Sequence, residues 1–131
     1  MILKGRVIAG GHARGPAMVT MQPISFLGSV DPKSGVVVEK GHELEGKSIA
    51  NMVLVFPRGK GSTVGSYIML QLKKNGVAPA AIINLEAETI IAVGAIISKI
   101  PMLDMLEGDM YSLIKDGMVL EVDAEKGEVR F

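Results

Sequence analysis

The feature that most restricts the fold of this chain is a glycine-rich stretch between two apolar segments. It reads Arg58-Gly59-Lys60-Gly61-Ser62-Thr63-Val64-Gly65-Ser66-Tyr67. The run Met52–Phe56 before it predicts a buried strand, and Tyr67–Gly76 after it predicts a helix with basic residues in its last turn and a glycine stop. A tight turn between a strand and a helix N-terminus aims backbone N–H groups at one point, where an anion is favoured. The pattern therefore predicts an α/β unit with an anion-binding loop around Ser62.

Two familiar phosphate-binding loops are excluded by spacing. A Walker A loop needs Gly-Lys-Ser/Thr, but here the lysine precedes Gly61. A dinucleotide fingerprint needs Gly-x-Gly-x-x-Gly, and Gly65 lies one residue too far along the chain. An alternative stays open, in which the glycines only permit tight turning and Ser62 is a helix N-cap.

Composition excludes several function classes. The chain has 131 residues with 48% hydrophobic content, which predicts one domain over residues 1–131 with a substantial core. A formal net charge of zero and 4% aromatic residues argue against nucleic-acid binding. Without cysteine the chain can form no disulfide, no thiolate nucleophile and no cysteine-ligated cluster. The chain has only two histidines, His12 and His42, and we expect neither to form a metal site.

The chain shows no membrane signal. Its N-terminus lacks the long apolar core of a signal peptide. The longest apolar stretch, near 90–97, is broken by Gly94 and is too short to span a bilayer. We therefore expect a cytoplasmic protein.

The remaining pattern predicts short strands and helices in alternation. Strands are expected at 5–9, 17–20, 36–39 and 80–84, a helical turn within 43–50, a helix at 88–99, an extended segment at 100–103 and a hairpin within 116–131. Strands at both ends with two βα units between them favour a compact α/β barrel-like sandwich over a doubly wound sheet.

Part of this layout resembles the mobile phosphohistidine domain of phosphoenolpyruvate-using enzymes, especially at Ile100-Pro101 and Gly117…Val122-Asp123. That family carries its phosphoryl group on a histidine shortly after a threonine in the penultimate helix. Here the segment is Thr89-Ile90-Ile91-Ala92, without a histidine. A phosphocarrier role is therefore set aside.

A second resemblance runs nearly end to end. Several blocks, in order, resemble the small swivelling subunit of the aconitase X group: Gly10-Gly11-His12-Ala13-Arg14-Gly15, Ser25-Phe26-Leu27-Gly28-Ser29-Val30-Asp31-Pro32, Gly59-Lys60-Gly61-Ser62, Pro79-Ala80-Ala81 and Ala92-Val93-Gly94-Ala95-Ile96-Ile97. The resemblance implies an α/β fold, a swivelling β/β/α barrel-like domain as in the aconitase C-terminal domain. It also implies a heterodimer in which the large subunit carries an iron–sulfur cluster and this chain binds no cofactor.

The resemblance implies a hydro-lyase that is active only with its large subunit. The expected reaction converts (R)-5-phosphomevalonate to trans-anhydromevalonate 5-phosphate in an archaeal-type mevalonate route to isoprenoids. Two alternatives stay open: another aconitase X activity, such as dehydration of cis-3-hydroxy-L-proline, and a non-catalytic swivelling domain that binds a ligand or a partner.

The resemblance also implies which residues form the site. Ser62 matches the serine that accepts a proton in that family, and we assign substrate binding to its neighbours Arg58, Lys60, Gly61 and Thr63. Aconitase and isopropylmalate isomerase follow the serine with a second serine and a carboxylate-gripping arginine, whereas this chain reads Ser62-Thr63-Val64. The missing arginine argues against a di- or tricarboxylate held in the aconitase manner. Arg58 and Lys60 could contact an anionic group instead, or could be solvated loop charges.

Other polar residues keep open roles. His12 is expected to be a loop histidine without a ligand role. Ser25, Ser29 and Asp31 line either the subunit interface or the pocket, or shape the turn before Pro32. The charged run within 39–47 is expected to be a solvated face.

Overall fold

The chain forms eight short strands and four helices, and the computed structural model describes all of residues 1–131. The strands are β1 (Ile2–Lys4), β2 (Arg6–Ala9), β3 (His12–Val19), β4 (Val53–Val55), β5 (Ala81–Ile83), β6 (Met102–Asp104), β7 (Val119–Asp123) and β8 (Glu128–Arg130). The helices are α1 (Phe26–Ser29), α2 (Gly65–Lys74), α3 (Thr89–Ser98) and α4 (Met110–Leu113). None of the helices is long and apolar enough to cross a membrane.

Strand β3 belongs to two sheets. The strands are hydrogen-bonded in the order β1-β8-β7-β3-β4-β5-β6-β2. The first part of β3, through Pro16, pairs antiparallel with β7, and its last part, from Ala17, pairs parallel with β4. Strands β4, β5 and β6 continue the parallel pairing, and β2 closes the edge antiparallel to β6. The chain therefore builds an antiparallel sheet and a mainly parallel sheet joined through one strand.

Alternating side chains of the parallel strands fill two separate cores. Leu54 and Ile82 face α2 and α3 and pack in a core of 18 buried residues. Their strand neighbours Val53 and Ile83 point to the opposite face, where 13 buried residues from both sheets, Leu120 among them, form the second core. Strands β4, β5 and β6 are buried on both faces, as the continuous apolar sequences of β4 and β5 predict. The result is a three-layer β/β/α arrangement, which confirms the predicted fold class.

The carboxyl ends of β3, β4, β5 and β6 lie along one edge of the middle sheet because these strands run parallel. Open α/β sheets bind ligands outside this edge. Helix α2 begins there, after the loop that follows β4, and α3 begins there after β5. The glycine-rich loop is therefore at the edge where a ligand site is expected.

Most predicted elements are present, and the misses have local causes. The strands near 5–9, 17–20, 52–56 and 80–84, both long helices and the C-terminal hairpin are confirmed with shifted ends. The predicted strand at 36–39 is wrong, because Val36 and Val37 make only isolated bridges. The predicted helical turn within 43–50 is also wrong; glycines at 41 and 46 have positive φ and leave only hydrogen-bonded turns. Strand β1 and the short helices α1 and α4 were not predicted.

Candidate active site

Hydrogen bonds to strand β5 and to the residues after it fix the start of the glycine-rich loop. The N–H of Phe56 donates to the carbonyl of Ile83 at 3.1 Å. The buried side-chain amide of Asn84 donates to the carbonyl of Phe56 at 3.0 Å, and the N–H of Leu85 donates to the carbonyl of Pro57 at 3.0 Å. The loop therefore leaves the sheet in one defined direction.

A second segment holds the loop from the side. Ile24 forms a parallel bridge with Gly59: its N–H donates to the carbonyl of Arg58 at 3.3 Å, and its carbonyl accepts from the N–H of Lys60 at 3.0 Å. Two glycines make this fit possible. A Cβ on Gly59 would overlap the side chain of Ile91 on α3, and Gly61 has φ +97 with its missing Cβ directed at the Ser25 hydroxyl. Gly61 thus has the turning role that the alternative interpretation proposed, whereas Gly59 makes room for Ile91.

Replacing Gly59 with alanine is expected to lower the free energy of unfolding by about 1–3 kcal/mol, because the added methyl group must displace Ile91 or the loop. Gly65→Ala is a matched control, because a Cβ there would meet Ile90 at 3.5 Å and Phe26 at 3.9 Å, both ordinary contacts, and alanine favours the helix. Urea unfolding of both variants tests this. Equal stability would show that Ile91 can move aside freely.

Ser62 is exposed in the middle of the loop, before the first turn of α2. Its Oγ accepts a hydrogen bond from the N–H of Val64 at 3.1 Å. The N–H groups of Gly61, Ser62 and Thr63 donate to no acceptor of this chain. The Ser62 hydroxyl therefore accepts one amide hydrogen bond and lies beside three free amides and the N-terminus of a ten-residue helix. Such an environment favours negative charge on its oxygen.

The N-cap interpretation of Ser62 is partly correct. The residue before α2 is Val64, which makes no side-chain cap. Ser62 caps the turn just before the helix, through its Oγ and through its carbonyl, which accepts from the N–H of Gly65 at 2.9 Å. The same hydrogen bond that stabilises this turn would also stabilise a serine alkoxide. Capping and chemistry are therefore compatible in this geometry.

The two basic residues of the loop differ in their partners. The ammonium of Lys60 lies 3.7 Å from Oε2 of Glu39, whose other oxygen accepts a hydrogen bond from the Ser29 hydroxyl. That hydrogen bond is the main reason that the pKa of Glu39 lies below its usual value, and the charge of Lys60 lowers it further. Arg58 is exposed and its guanidinium makes no ion pair or hydrogen bond within the chain. Arg58 is therefore the cation free to meet an anionic ligand.

The charged run within 39–47 is more than a solvated face. Glu39 joins Ser29 to Lys60, and Glu43 accepts from the Thr20 hydroxyl at 3.0 Å. The prediction of a purely solvated face was wrong for these two glutamates. No periodic signal marks them, because their partners are distant in sequence and meet them only in the fold.

The open roles of three polar residues are partly resolved. Ser25 lies against Gly61, one residue from Ser62, and its hydroxyl donates to the carbonyl of Leu27 at 3.0 Å. Ser29 is buried beneath Glu39. Asp31 shapes the turn after it, because its carboxylate accepts from the N–H of Lys33 at 3.0 Å and from the Ser34 hydroxyl at 2.9 Å.

Neither histidine makes a hydrogen bond to the glycine-rich loop. His12 begins β3 rather than lying in a loop, and its Nδ1 is 3.6 Å from Asp123 at the far end of the antiparallel sheet. His42 is buried: its Nδ1 accepts from the N–H of Leu44 at 3.1 Å, which leaves Nε2 to donate to the carbonyl of Pro23 at 3.2 Å.

The site is open on the surface of this chain. None of the five cavities in the structure is lined by Ser62, Arg58 or Lys60. Of the candidate site residues, only Thr63 lines a cavity, an apolar groove of about 510 Å³ between α2 and α3. Ser62, its free amides and Arg58 lie in one exposed loop that does not enclose a ligand.

This chain does not provide ligands for an iron–sulfur cluster. It has no cysteine, and no three His, Asp or Glu side chains converge in the structure. The residues present therefore do not fit such a group.

Comparison with known proteins identifies close relatives. Residues 2–131 match the family model described as the aconitase X swivel domain. A phosphomevalonate dehydratase small subunit from Methanosarcina acetivorans is 63% identical over 97% of this chain and 88% of that protein. The protein of the same name from Thermococcus sibiricus is 57% identical over 98% and 97% of the two chains. The crystal structure of aconitase X from Thermococcus kodakaraensis in its holo-form superposes with a TM-score of 0.93 at 55% identity, covering 99% of this chain and 97% of that one.

Proposed function

The chain belongs to the aconitase X swivel domain family, and from that premise we propose that it is the small subunit of a phosphomevalonate dehydratase, a hydro-lyase. The observation that carries this proposal is the near full-length similarity to proteins of that name, at 53–63% identity over at least 95% of this chain. A small subunit implies a larger partner subunit. The open site around Ser62 fits an enzyme that needs such a partner.

The proposed reaction is the loss of water from (R)-5-phosphomevalonate to give trans-anhydromevalonate 5-phosphate. A C–H bond next to the carboxylate breaks, hydroxide leaves the neighbouring carbon, and a carbon–carbon double bond forms. Ser62 is proposed to accept the proton. A serine is a poor base in water, so it requires stabilisation of the alkoxide. The N–H of Val64, the free amides of the loop and the N-terminus of α2 would supply it.

The substrate carries two anionic groups, a carboxylate and a phosphate, and the loop offers donors for one of them. The free N–H groups of Gly61 and Thr63 flank the serine, and Arg58 adds an unpaired guanidinium. Arginine binds carboxylate and phosphate with two parallel hydrogen bonds. We propose that Arg58 and these amides hold one anionic group of the substrate while Ser62 faces the carbon that loses its proton. We propose that Lys60, which is paired with Glu39, adds positive electrostatic potential near the same anionic group.

The iron–sulfur cluster that the family implies would belong to the large subunit, because this chain lacks ligands for it. The base and the group that holds the leaving hydroxyl would then come from different chains. Catalysis would require both subunits to be assembled.

A reconstitution experiment tests the proposed function. The purified 131-residue chain is expected to show no dehydration of (R)-5-phosphomevalonate, and addition of the large subunit is expected to produce turnover that mass spectrometry detects as loss of water. cis-3-Hydroxy-L-proline is the control substrate and is expected to remain unchanged. Activity of the small chain alone would contradict the two-chain site, and turnover of the proline derivative instead would reassign the substrate.

A further inference from the structure

Building on the proposed function, we propose that Glu39 is a positioning residue of the site: it holds the ammonium of Lys60 beside the Ser62 loop, ready to meet an anionic group of the substrate. Glu39 belongs to the long excursion at 20–52, between β3 and β4. We call the contact that runs from Ser29 through Glu39 to Lys60 the glutamate bridge.

The backbone of Lys60 is fixed, whereas its side chain needs a partner. The N–H of Lys60 donates to the carbonyl of Ile24 at 3.0 Å, so the excursion holds the backbone in one place. The side chain is a flexible four-carbon stem with a strongly hydrated charge, and it is 49% exposed. A contact at the end of this stem therefore decides whether the charge stays beside the loop.

Glu39 makes that contact from the segment of the excursion that also touches the loop. Its Oε2 lies 3.7 Å from the Lys60 ammonium, and its other oxygen accepts a hydrogen bond from the Ser29 hydroxyl. Four residues before Ser29, the hydroxyl of Ser25 lies against Gly61. One short segment thus touches the loop at one end and anchors Glu39 at the other.

The burial of Ser29 indicates that this anchor is specific. Ser29 is only 3% exposed, and its hydroxyl donates to the Glu39 carboxylate. Burying a hydroxyl costs free energy unless it is hydrogen-bonded. The same hydrogen bond lowers the pKa of Glu39 and keeps its carboxylate ionised opposite Lys60. Because a partly exposed ion pair adds little to stability, we attribute the anchor to the orientation of Lys60.

Glu39 acts on an anionic ligand in two opposing ways. Its negative charge repels the ligand, so removing the charge alone would strengthen binding. Its contact with Lys60 keeps a positive charge near the ligand, so losing the contact would weaken binding, because a freed lysine must give up rotamer freedom when it meets the ligand. Water and salt screen the repulsion between exposed charges. We therefore expect the loss of position to have the larger effect.

Glu39→Gln in the assembled two-subunit enzyme tests this balance. Glutamine keeps the side-chain length and an oxygen that can accept from Ser29, and it removes the charge that holds Lys60. KM for (R)-5-phosphomevalonate is expected to rise about threefold while kcat stays within about 1.5-fold, because only binding of the anionic group changes. An unchanged or lowered KM would overturn the positioning role.

Ser29→Ala and a double variant separate position from charge. Ser29→Ala keeps the charge of Glu39 and removes its anchor, so KM should again rise, by about twofold. A pure charge effect would leave this KM unchanged. Adding Glu39→Gln to Lys60→Met should have no further effect on KM, because Glu39 acts through Lys60. Additive effects in the double variant would overturn the proposal.

Glu45→Gln is the control for charge removal within the same excursion. The Glu45 carboxylate accepts from the N–H of Gly41 at 3.0 Å and makes no ion pair. Its replacement should leave KM at the native value. A rise in KM equal to that of Glu39→Gln would show that the effect comes from charge in the excursion and not from the glutamate bridge.

Inorganic phosphate, titrated into the isolated chain, gives a readout that does not depend on the reaction. NMR shifts of the amides of Gly61, Ser62 and Thr63 report its Kd, which should rise about threefold in Glu39→Gln. If the native two-subunit enzyme does not turn over (R)-5-phosphomevalonate, the proposed function is wrong and the phosphate titration still decides the role of Glu39. Absence of phosphate binding to the native chain, or an equal Kd in Glu39→Gln, would overturn that role.

Discussion

Ser62→Ala is expected to lower the kcat of the assembled two-subunit enzyme by about 100-fold or more, because it removes the proposed proton acceptor. The structural cost should be small. The variant loses one hydrogen bond, from the N–H of Val64, and a lost cap of this kind costs about 1 kcal/mol of unfolding free energy. The two roles of Ser62 therefore predict changes in different quantities. Steady-state kinetics and urea unfolding on the same preparation distinguish them.

Ser48→Ala is the matched control for this experiment. The Ser48 Oγ accepts from the N–H of Ala50 at 3.2 Å, the same two-residue geometry as at Ser62. The Ser48 hydroxyl also donates to the carbonyl of Ser34 at 3.5 Å, so the control variant should lose at least as much stability. It should keep its native kcat, since Ser48 lies in a turn that pairs with Val36, away from the loop. Ser62→Ala should also abolish exchange of substrate hydrogen with deuterated solvent at the carbon that loses its proton. Near-native kcat in an assembled Ser62→Ala enzyme would move the base to the large subunit.

Arg58→Met is expected to lower kcat/KM by about 30-fold, or about 2 kcal/mol, because a desolvated charge-assisted contact to an anionic group is lost. Lys60→Met should have a smaller effect, about threefold, because Lys60 is already paired with Glu39 and half exposed. Methionine keeps much of the side-chain length and removes the charge together with its N–H donors.

Arg14→Met provides the control for charge removal in general. Arg14 is exposed in the part of β3 that pairs with β7, on the antiparallel sheet. Its replacement should leave kcat/KM unchanged. If Arg58→Met behaves like Arg14→Met, the anionic group is held elsewhere, by the loop amides or by the large subunit.

The fold could be predicted to the extent that local pattern determines it. The apolar runs 53–55 and 81–83 form strands that are buried on both faces. Successive residues of a strand point to opposite faces, so a strand buried on both faces must be apolar at every position, and this pattern is visible in the sequence. The segment at 36–39 has a similar local pattern but no neighbouring strand to pair with along its length. Pairing is a property of the whole chain, so the local pattern could not exclude that strand.

The candidate site was predicted in the same partial way. The glycine spacing and the following helix located Ser62 at a helix N-terminus, and the family resemblance implied its role. The pattern could not show that Gly59 makes room for Ile91, or that Lys60 is paired and Arg58 is not. These facts depend on contacts between residues with no fixed sequence spacing.

The sequence by itself determined which segments are apolar enough to form the middle sheet and where a glycine-rich turn interrupts them. Those features depend on a few adjacent residues, whose backbone preferences and side-chain alternation act locally. Only the tertiary structure decided which groups surround Ser62. The parallel pairing of β3 to β6 puts their carboxyl ends on one edge, and this brings Ser25, Leu85 and Met105 to the loop. These contacts form only when the whole chain packs both of its buried cores, and no short stretch of sequence encodes that packing.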